Sequence, residues 1–121
     1  RLLSLKGIGV VTASALVATV GNAHEFSNGR QFAAWLGLTP RQNSTGGRSR
    51  LGRISKRGDS YLRTLLIHGA RSEMTRTKHR SDAKSQWVEN LRVHKPWNKV
   101  AVALANKNAR VCWHVLAEHP A

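Results

Sequence analysis

Residues 97–118 read WNKVAVALANKNARVCWHVLAE, and this stretch is the clearest indication of the fold. Its apolar residues recur at the three- and four-residue intervals that place side chains along one side of an α-helix. One row consists of Val100, Leu104, Val111 and Val115. A neighbouring row consists of Ala101, Ala105, Cys112 and Leu116. A long helix with one apolar side predicts packing against further helices.

Two short helices are predicted near the start of the chain. The first follows Gly9, is rich in small and apolar residues, and stops near Gly21. The second covers residues 28–36, with Ser27 or Asn28 as its N-terminal cap. A glycine and a proline shortly after it end the helix.

Two more helices are predicted before the last one. The first starts at a cap formed by Asp59 or Ser60 and runs through Ala70. The cation-rich stretch 71–82 is either a solvated helix end or a mobile loop, and residues 83–93 form another short helix. Because the sequence has no convincing strand or repeat, we expect an all-α fold of about five helices around one core.

The aromatic residues and the single cysteine are expected to serve this core. Trp35, Trp87 and Trp97 are interpreted as buried anchors, although an exposed indole can stack on a nucleic-acid base. Cys112 and Trp113 are interpreted as core or interface residues. A lone cysteine forms no internal disulfide and favours a reducing compartment.

The charge of the chain predicts a polyanionic partner. The sequence holds 20 lysines and arginines against 6 acidic residues, for a formal net charge of +14. Most of the cations are arginine, whose planar guanidinium matches phosphate oxygens. A membrane surface is disfavoured, because no long basic amphipathic segment and no apolar run of spanning length occurs. We therefore expect a nucleic acid as partner.

The segment 41–57, RQNSTGGRSRLGRISKR, concentrates this charge without any acidic residue. It is either a solvated, disordered run or a phosphate-binding loop, and the pair Gly46-Gly47 beside the hydroxyls of Ser44 and Thr45 favours the loop. Arginine beside a hydroxyl favours nucleophilic attack at phosphorus, but composition alone does not separate catalysis from binding. Its cations are Arg41, Arg48, Arg50, Arg53, Lys56 and Arg57. Arg63 is expected to face the same phosphate.

A second phosphate-binding element is predicted at Leu5-Lys6-Gly7-Ile8-Gly9, which has the hGhG pattern of a helix-hairpin-helix turn. Gly7 and Gly9 allow a tight turn whose N–H groups face a DNA phosphate, next to the N-terminus of the following helix. Lys6 adds charge and Ile8 is expected to enter the core. The alternative is an ordinary glycine turn between packed helices.

The acidic residues and histidines do not predict a metal centre in this chain. The carboxylates are widely spaced, which disfavours a self-contained two-metal nuclease site. No histidine lies at zinc-ligand spacing from Cys112. We therefore expect no cofactor here, and Asp59 is interpreted as a helix cap.

Three segments together resemble the C-terminal domain of the DEDD-type insertion-sequence transposases, which are related to the Piv and MooV invertases and include bridge-RNA-guided recombinases. The segments are LKGIGVVTASALVATVGNAHEF, GRQFAAWLGLTPRQNSTGGRSRLGRISKRGDSYLRTLLIHGA and NKVAVALANKNARVCWHVL, and they cover most of residues 2–116. The resemblance implies DNA recombination by a transposase whose N-terminal, RuvC-like half binds divalent metal such as Mg²⁺. That half is expected to be absent from this chain, so the chain alone is expected to be inactive.

The resemblance also implies a nucleophile in the C-terminal domain. Family members use a serine directly before a glycine to attack a DNA phosphate. Here Thr45 precedes Gly46 and Ser44 lies one residue upstream. Either hydroxyl is a candidate, and the sequence leaves the choice open.

We thus expect one domain over residues 1–121, with a helix-hairpin-helix-like region at 2–40, the basic loop at 41–58 and a helical core at 59–118. DNA is the expected partner, with a guide RNA and a homo-oligomer in the full-length enzyme, in the bacterial cytoplasm at the nucleoid. Two alternatives remain: a non-catalytic helix-hairpin-helix DNA-binding module and a ribosomal-type RNA-binding protein.

Overall fold

The computed structural model describes residues 2, 7–20, 23–38 and 56–118, including their side chains except those at 19–20 and 56–59. This part of the chain contains five α-helices and no strand, which confirms the predicted all-α fold. The helices are α1 (Val10–Val20), α2 (Gly29–Trp35), α3 (Lys56–Thr77), α4 (Ala83–His94) and α5 (Trp97–Glu118), with a 3₁₀ turn at Ala23–Glu25.

The last helix, α5, is the centre of the packing. Helices α2, α3 and α4 all contact it, and α1 packs on α3. Alanines on the buried side of α5 allow the neighbouring helices to approach closely. The same holds for α2, where a Cβ added to Gly29 would lie 3.1 Å from the Arg110 Cα. The buried residues of α5 are Val100, Ala101, Leu104, Ala105, Asn108, Ala109, Cys112 and Trp113.

The predicted apolar row of α5 includes one residue that is not buried. Val111 is 38 % exposed, whereas Asn108, Ala109 and Cys112 are buried. The buried face is centred between Ala105 and Asn108, and Val111 lies at its edge, roughly 90° away around the helix axis. A polar Asn in the core was not expected, and its partner is described below.

Both ends of α2 are capped by local hydrogen bonds. The Asn28 side chain accepts a 2.8 Å hydrogen bond from the Gln31 N–H, which confirms Asn28 as the predicted cap. At the other end Gly37 has a φ of +78°. The Leu38 N–H donates to the Ala33 carbonyl at 3.0 Å and the Gly37 N–H to the Ala34 carbonyl at 2.9 Å, which is the Schellman pattern.

Helix α3 begins earlier than predicted. It starts at Lys56, so Asp59 lies in its first turn and the predicted capping role of Asp59 or Ser60 is wrong. An acidic residue is favoured in the first turn as well as at the cap, because both positions meet the positive end of the helix dipole. Lys56 and Arg57 consequently belong to α3 and not to a loop.

The predicted boundary after Ala70 is also displaced, because α3 continues to Thr77. Met74 and Thr77 are fully buried and extend the apolar face of Ala70 by one and two turns. The helix alternative for the first half of 71–82 is therefore confirmed. The next helix, α4, starts after Asp82, whose side chain accepts a 3.1 Å hydrogen bond from the Ser85 N–H.

The tryptophans divide between core and surface. The Trp113 indole Nε1–H donates a 2.7 Å hydrogen bond to the Ala23 carbonyl, which fixes the link between α1 and α2 to α5. Trp35 and Trp87 are half-buried. Trp97 is 41 % exposed, so the prediction of a buried anchor is wrong there. Its position as the first residue of α5 leaves one side of the ring without a neighbouring helix.

Candidate nucleic-acid interface

The hGhG segment forms a tight turn at the N-terminus of α1. Gly7 has a φ of +89°, a conformation that favours glycine. Ile8 is 6 % exposed and belongs to the core, as predicted from the sequence. Gly9 is exposed, and a Cβ added there would meet no atom within 4 Å. The turn therefore presents open backbone next to the first N–H groups of α1, which have no acceptor within their own helix.

A buried polar cluster lies directly beneath this turn. The carboxylate of Glu73 is 4 % exposed, accepts a 3.2 Å hydrogen bond from the Asn108 Nδ2 and pairs with the Lys84 Nζ at 3.0 Å. A Cβ on Gly7 would lie 2.8 Å from the Glu73 Oε1 and 2.9 Å from the Asn108 Nδ2. Residues from α3, α4 and α5 thus form the floor on which the glycine turn rests.

A pocket of about 260 Å³ opens between the turn and α3. From α3 it is lined by Gly69, Ser72, Glu73 and Arg76, and Arg80 follows the end of that helix. Arg76 is exposed and Arg80 is half-buried. The Glu73 carboxylate is paired with Lys84. The two guanidiniums and the N-terminus of α1 therefore make the electrostatic potential in the pocket positive. The arrangement suits a phosphate group. We call it the turn pocket.

Arg63 belongs to a different surface. Its Nη1 lies 3.0 Å from the position that a Cβ on Gly37 would take, so the guanidinium covers the C-terminal end of α2. Arg63 and Gly69 lie roughly 120° apart around α3, so Arg63 does not face the turn pocket. The carbonyl end of α2 favours a cation there.

The structure brings together only part of the predicted site. Gly7, Ile8 and Gly9 meet at the turn pocket. Lys56 and Arg57 are the first two residues of α3. The remaining predicted residues lie outside the described part of the chain, and these are Lys6, Arg41, Ser44, Thr45, Gly46, Gly47, Arg48, Arg50 and Arg53.

Sequence reasoning missed the residues that α3 and the turn after it supply to the turn pocket. Arg76 and Arg80 were noted as part of a cation-rich stretch but not assigned to phosphate. Gly69 received no role, although a glycine inside a helix costs about 1 kcal/mol relative to Ala and so points to close packing. A Cβ on Gly69 would collide with the Gly7 carbonyl oxygen.

The described residues do not fit a metal centre. No three of their His, Cys, Asp and Glu side chains form a group that could hold an ion. Burial raises the pKa of the Cys112 thiol to about 12, so this side chain stays protonated near neutral pH. None of the described helices has the length and apolar character needed to cross a membrane.

Comparison with known proteins finds similarity to transposases. The sequence model of the "Transposase IS116/IS110/IS902 family" matches residues 1–86. No solved structure matches the chain at a significant level.

Curated relatives match nearly the whole chain. A "Probable family 20 transposase" of Pseudomonas aeruginosa is 60 % identical over 97 % of the chain and 35 % of that relative. The transposase for insertion sequence element IS1111A of Coxiella burnetii is 47 % identical over 96 % of the chain and 32 % of its own length. The transposase for insertion sequence element IS1328 of Yersinia enterocolitica is 46 % identical, with 98 % and 35 % covered. The chain thus spans about a third of the length of these relatives.

Proposed function

Because the chain belongs to the IS116/IS110/IS902 transposase family, we propose that it takes part in DNA transposition as the DNA-contacting part of a longer enzyme. Relatives that are transposases of insertion sequence elements match it over almost its full length. The formal net charge of +14 suits a partner with a phosphate backbone. Breakage and joining of DNA is the activity proposed for the longer polypeptide.

The turn pocket is the observation that carries this proposal. Backbone N–H groups at Gly9 and at the start of α1 approach one side of a phosphate, and Arg76 and Arg80 approach another. Such a site contacts the sugar–phosphate backbone and not the bases, so it positions duplex DNA without reading its sequence. The pairing of Glu73 with Lys84 keeps the carboxylate under the turn from opposing the phosphate.

The basic segment 41–57 supplies the chemistry in this proposal. The hydroxyl oxygen of Ser44 or Thr45 attacks the phosphorus of a DNA strand and forms a covalent P–O bond. The bond to the deoxyribose oxygen breaks, and that oxygen leaves with a proton as a free hydroxyl. Neighbouring guanidiniums stabilise the charge that develops on the phosphoryl oxygens. Divalent metal belongs to the rest of the enzyme.

The proposal extends to a guide RNA, to the oligomeric state and to the location of the enzyme in the cell. A Piv- and MooV-related, bridge-RNA-guided mechanism would add a guide RNA to the partners of this domain. A homo-oligomer would bring two DNA ends together. Action on chromosomal DNA would place the enzyme at the nucleoid in the bacterial cytoplasm.

Binding of labelled duplex DNA by the 121-residue chain tests the role of the turn pocket. The double variant Arg76→Gln/Arg80→Gln should bind at least tenfold more weakly than wild type, because each lost phosphate contact removes a charge-assisted hydrogen bond. The matched control Arg30→Gln/Arg110→Gln removes the same charge from α2 and α5. If the two double variants lose the same amount of DNA affinity, the pocket does not bind a phosphate and the affinity comes from non-specific electrostatic attraction.

The nucleophile is tested in the full-length enzyme. Ser44→Ala, Thr45→Ala and the double variant should be assayed for a covalent protein–DNA product. Loss of that product in one single variant assigns the nucleophile. Wild-type amounts of that product in all three would place the nucleophile outside this segment and support a non-catalytic helix-hairpin-helix module here. A strong preference of the chain for folded RNA over duplex DNA would support the ribosomal-type alternative.

A further inference from the structure

The connection between α4 and α5 forms a second cationic surface, separate from the turn pocket. We call residues 92–99 the α4–α5 corner, and their sequence is RVHKPWNK without an acidic residue. Lys95 and Lys99 are exposed, and Trp97 between them is 41 % exposed. Exposure of the indole ring to water is unfavourable, because its apolar surface is stabilised by burial. An exposed indole between two ammonium groups therefore indicates a binding surface.

The Trp97 ring is held in place from one side. The Arg92 guanidinium carbon lies 5.0 Å from the ring centroid, in a cation–π contact. Arg92 is itself fixed by the Glu89 carboxylate at 3.0 Å. The hydrogen bond from Thr77 lowers the pKa of the Glu89 carboxyl, so this group stays charged near neutral pH and keeps hold of Arg92. The ring is thus oriented before any partner arrives.

The corner is also tied to α3 close to the turn pocket. The Arg71 Nη2 lies 3.4 Å from the Asn98 Oδ1. Arg71 directly precedes Ser72, which lines the turn pocket. The two cationic surfaces are therefore joined through one short stretch of α3.

We propose that the α4–α5 corner binds single-stranded DNA, with one base stacked on Trp97 and the flanking phosphates beside Lys95 and Lys99. Bases in a duplex hide their faces in the stack, so a protein indole reaches them only in an unpaired strand. Stacking on an aromatic ring combined with cations along the backbone is the general way in which proteins hold single strands. The choice of DNA as the source of the strand rests on the proposed function, since breakage of a duplex frees unpaired nucleotides.

Binding of fluorescent oligo(dT), oligo(rU) and duplex DNA to the full chain tests this inference. Trp97→Ala should weaken oligo(dT) binding about tenfold and leave duplex binding within twofold of wild type. Trp97→Phe keeps a ring and should retain most of the affinity. The control Val17→Ala, at an exposed residue of α1 outside the corner, should bind like wild type.

A second readout uses Trp97→Phe, the variant that keeps an aromatic ring in place of the indole. Saturating oligo(dT) should quench the tryptophan fluorescence of wild type, and this quenching should disappear in Trp97→Phe. Unchanged oligo(dT) affinity in Trp97→Ala, or equal quenching in wild type and Trp97→Phe, would overturn the proposal. Binding of oligo(rU) but not of oligo(dT) would overturn the choice of DNA. Failure of the turn pocket is separate, because it shows as duplex binding in Arg76→Gln/Arg80→Gln that is no weaker than in Arg30→Gln/Arg110→Gln.

Discussion

Gly7 and Gly69 meet backbone to backbone, and neither position has room for a β-carbon. A Cβ on Gly69 would run into the Gly7 carbonyl, and a Cβ on Gly7 would press on Glu73 and Asn108. The positive φ of Gly7 adds a second reason for glycine at that position. This contact sets the distance between α1 and α3 and hence the shape of the turn pocket.

We expect Gly69→Ala to destabilise the fold by about 1–3 kcal/mol, the usual cost of forcing an extra carbon into a packed site. This loss should appear although Ala is the better helix former. Gly9→Ala is the control, because nothing lies within 4 Å of its added Cβ, and it should change the free energy of unfolding by less than about 0.5 kcal/mol. Urea unfolding followed by circular dichroism measures both, and equal stabilities would contradict the contact.

The ion pair of Lys84 with Glu73 should be worth more than a surface pair, because the Glu73 side chain is 4 % exposed. Lys84→Met leaves that carboxylate without its cation and should cost about 3 kcal/mol, at the low end for buried pairs since Lys84 keeps 25 % exposure. The double variant Lys84→Met/Glu73→Gln should recover a large part of the loss. Additive effects in this double-mutant cycle would show that the two groups do not interact.

The hydrogen bond from Trp113 to the Ala23 carbonyl joins α5 to the 3₁₀ turn between α1 and α2. Trp113→Phe removes the N–H donor and part of the buried ring, so we expect a loss of about 1–2 kcal/mol. Trp87→Phe is the control, because Trp87 is half-buried under the Lys107 ammonium. Thermal unfolding should show the larger decrease in Tm for Trp113→Phe, and the reverse order would contradict a structural role for the bond.

The buried thiol of Cys112 predicts a dependence of stability on alkaline pH. The folded state holds its proton up to a pKa of about 12, whereas the unfolded thiol loses its proton near 9. Between these values the unfolded state binds fewer protons, so the free energy of unfolding falls as pH rises. Cys112→Ala should lack this component, which shows as a shallower decline than wild type above about pH 9. In native wild type at pH 8 the thiol should react with Ellman's reagent only on unfolding.

The sequence predicts those elements whose signals are local. The end of α1, the Asn28 cap, α4 and the limits of α5 follow from caps, breakers and periodicity that act within a few residues. The start of α3 does not, because an Asp in the first turn and an Asp at the cap look alike from the sequence. The prediction for Trp97 rests on residue type alone, whereas the one for Val111 rests on periodicity. Periodicity gives a face but not which edge of that face a neighbouring helix covers.

The candidate site divides in the same way. The hGhG pattern predicted the turn and the burial of Ile8, since both depend on five consecutive residues. The partners of the turn come from elsewhere in the chain. Gly69, Arg76 and Asn108 meet Gly7 or its pocket through tertiary packing, and no spacing in the sequence connects them. Their contribution became visible only once α3 and α5 were in place.

The dependence of DNA affinity on salt concentration tests the central claim most directly. Each phosphate contact contributes about −0.9 to the slope of log affinity against log salt for duplex DNA. Removing two contacts in Arg76→Gln/Arg80→Gln should therefore make the slope less negative by about 1.8, while Arg30→Gln/Arg110→Gln leaves it close to that of wild type. A wild-type slope in Arg76→Gln/Arg80→Gln would show that the turn pocket holds no DNA phosphate.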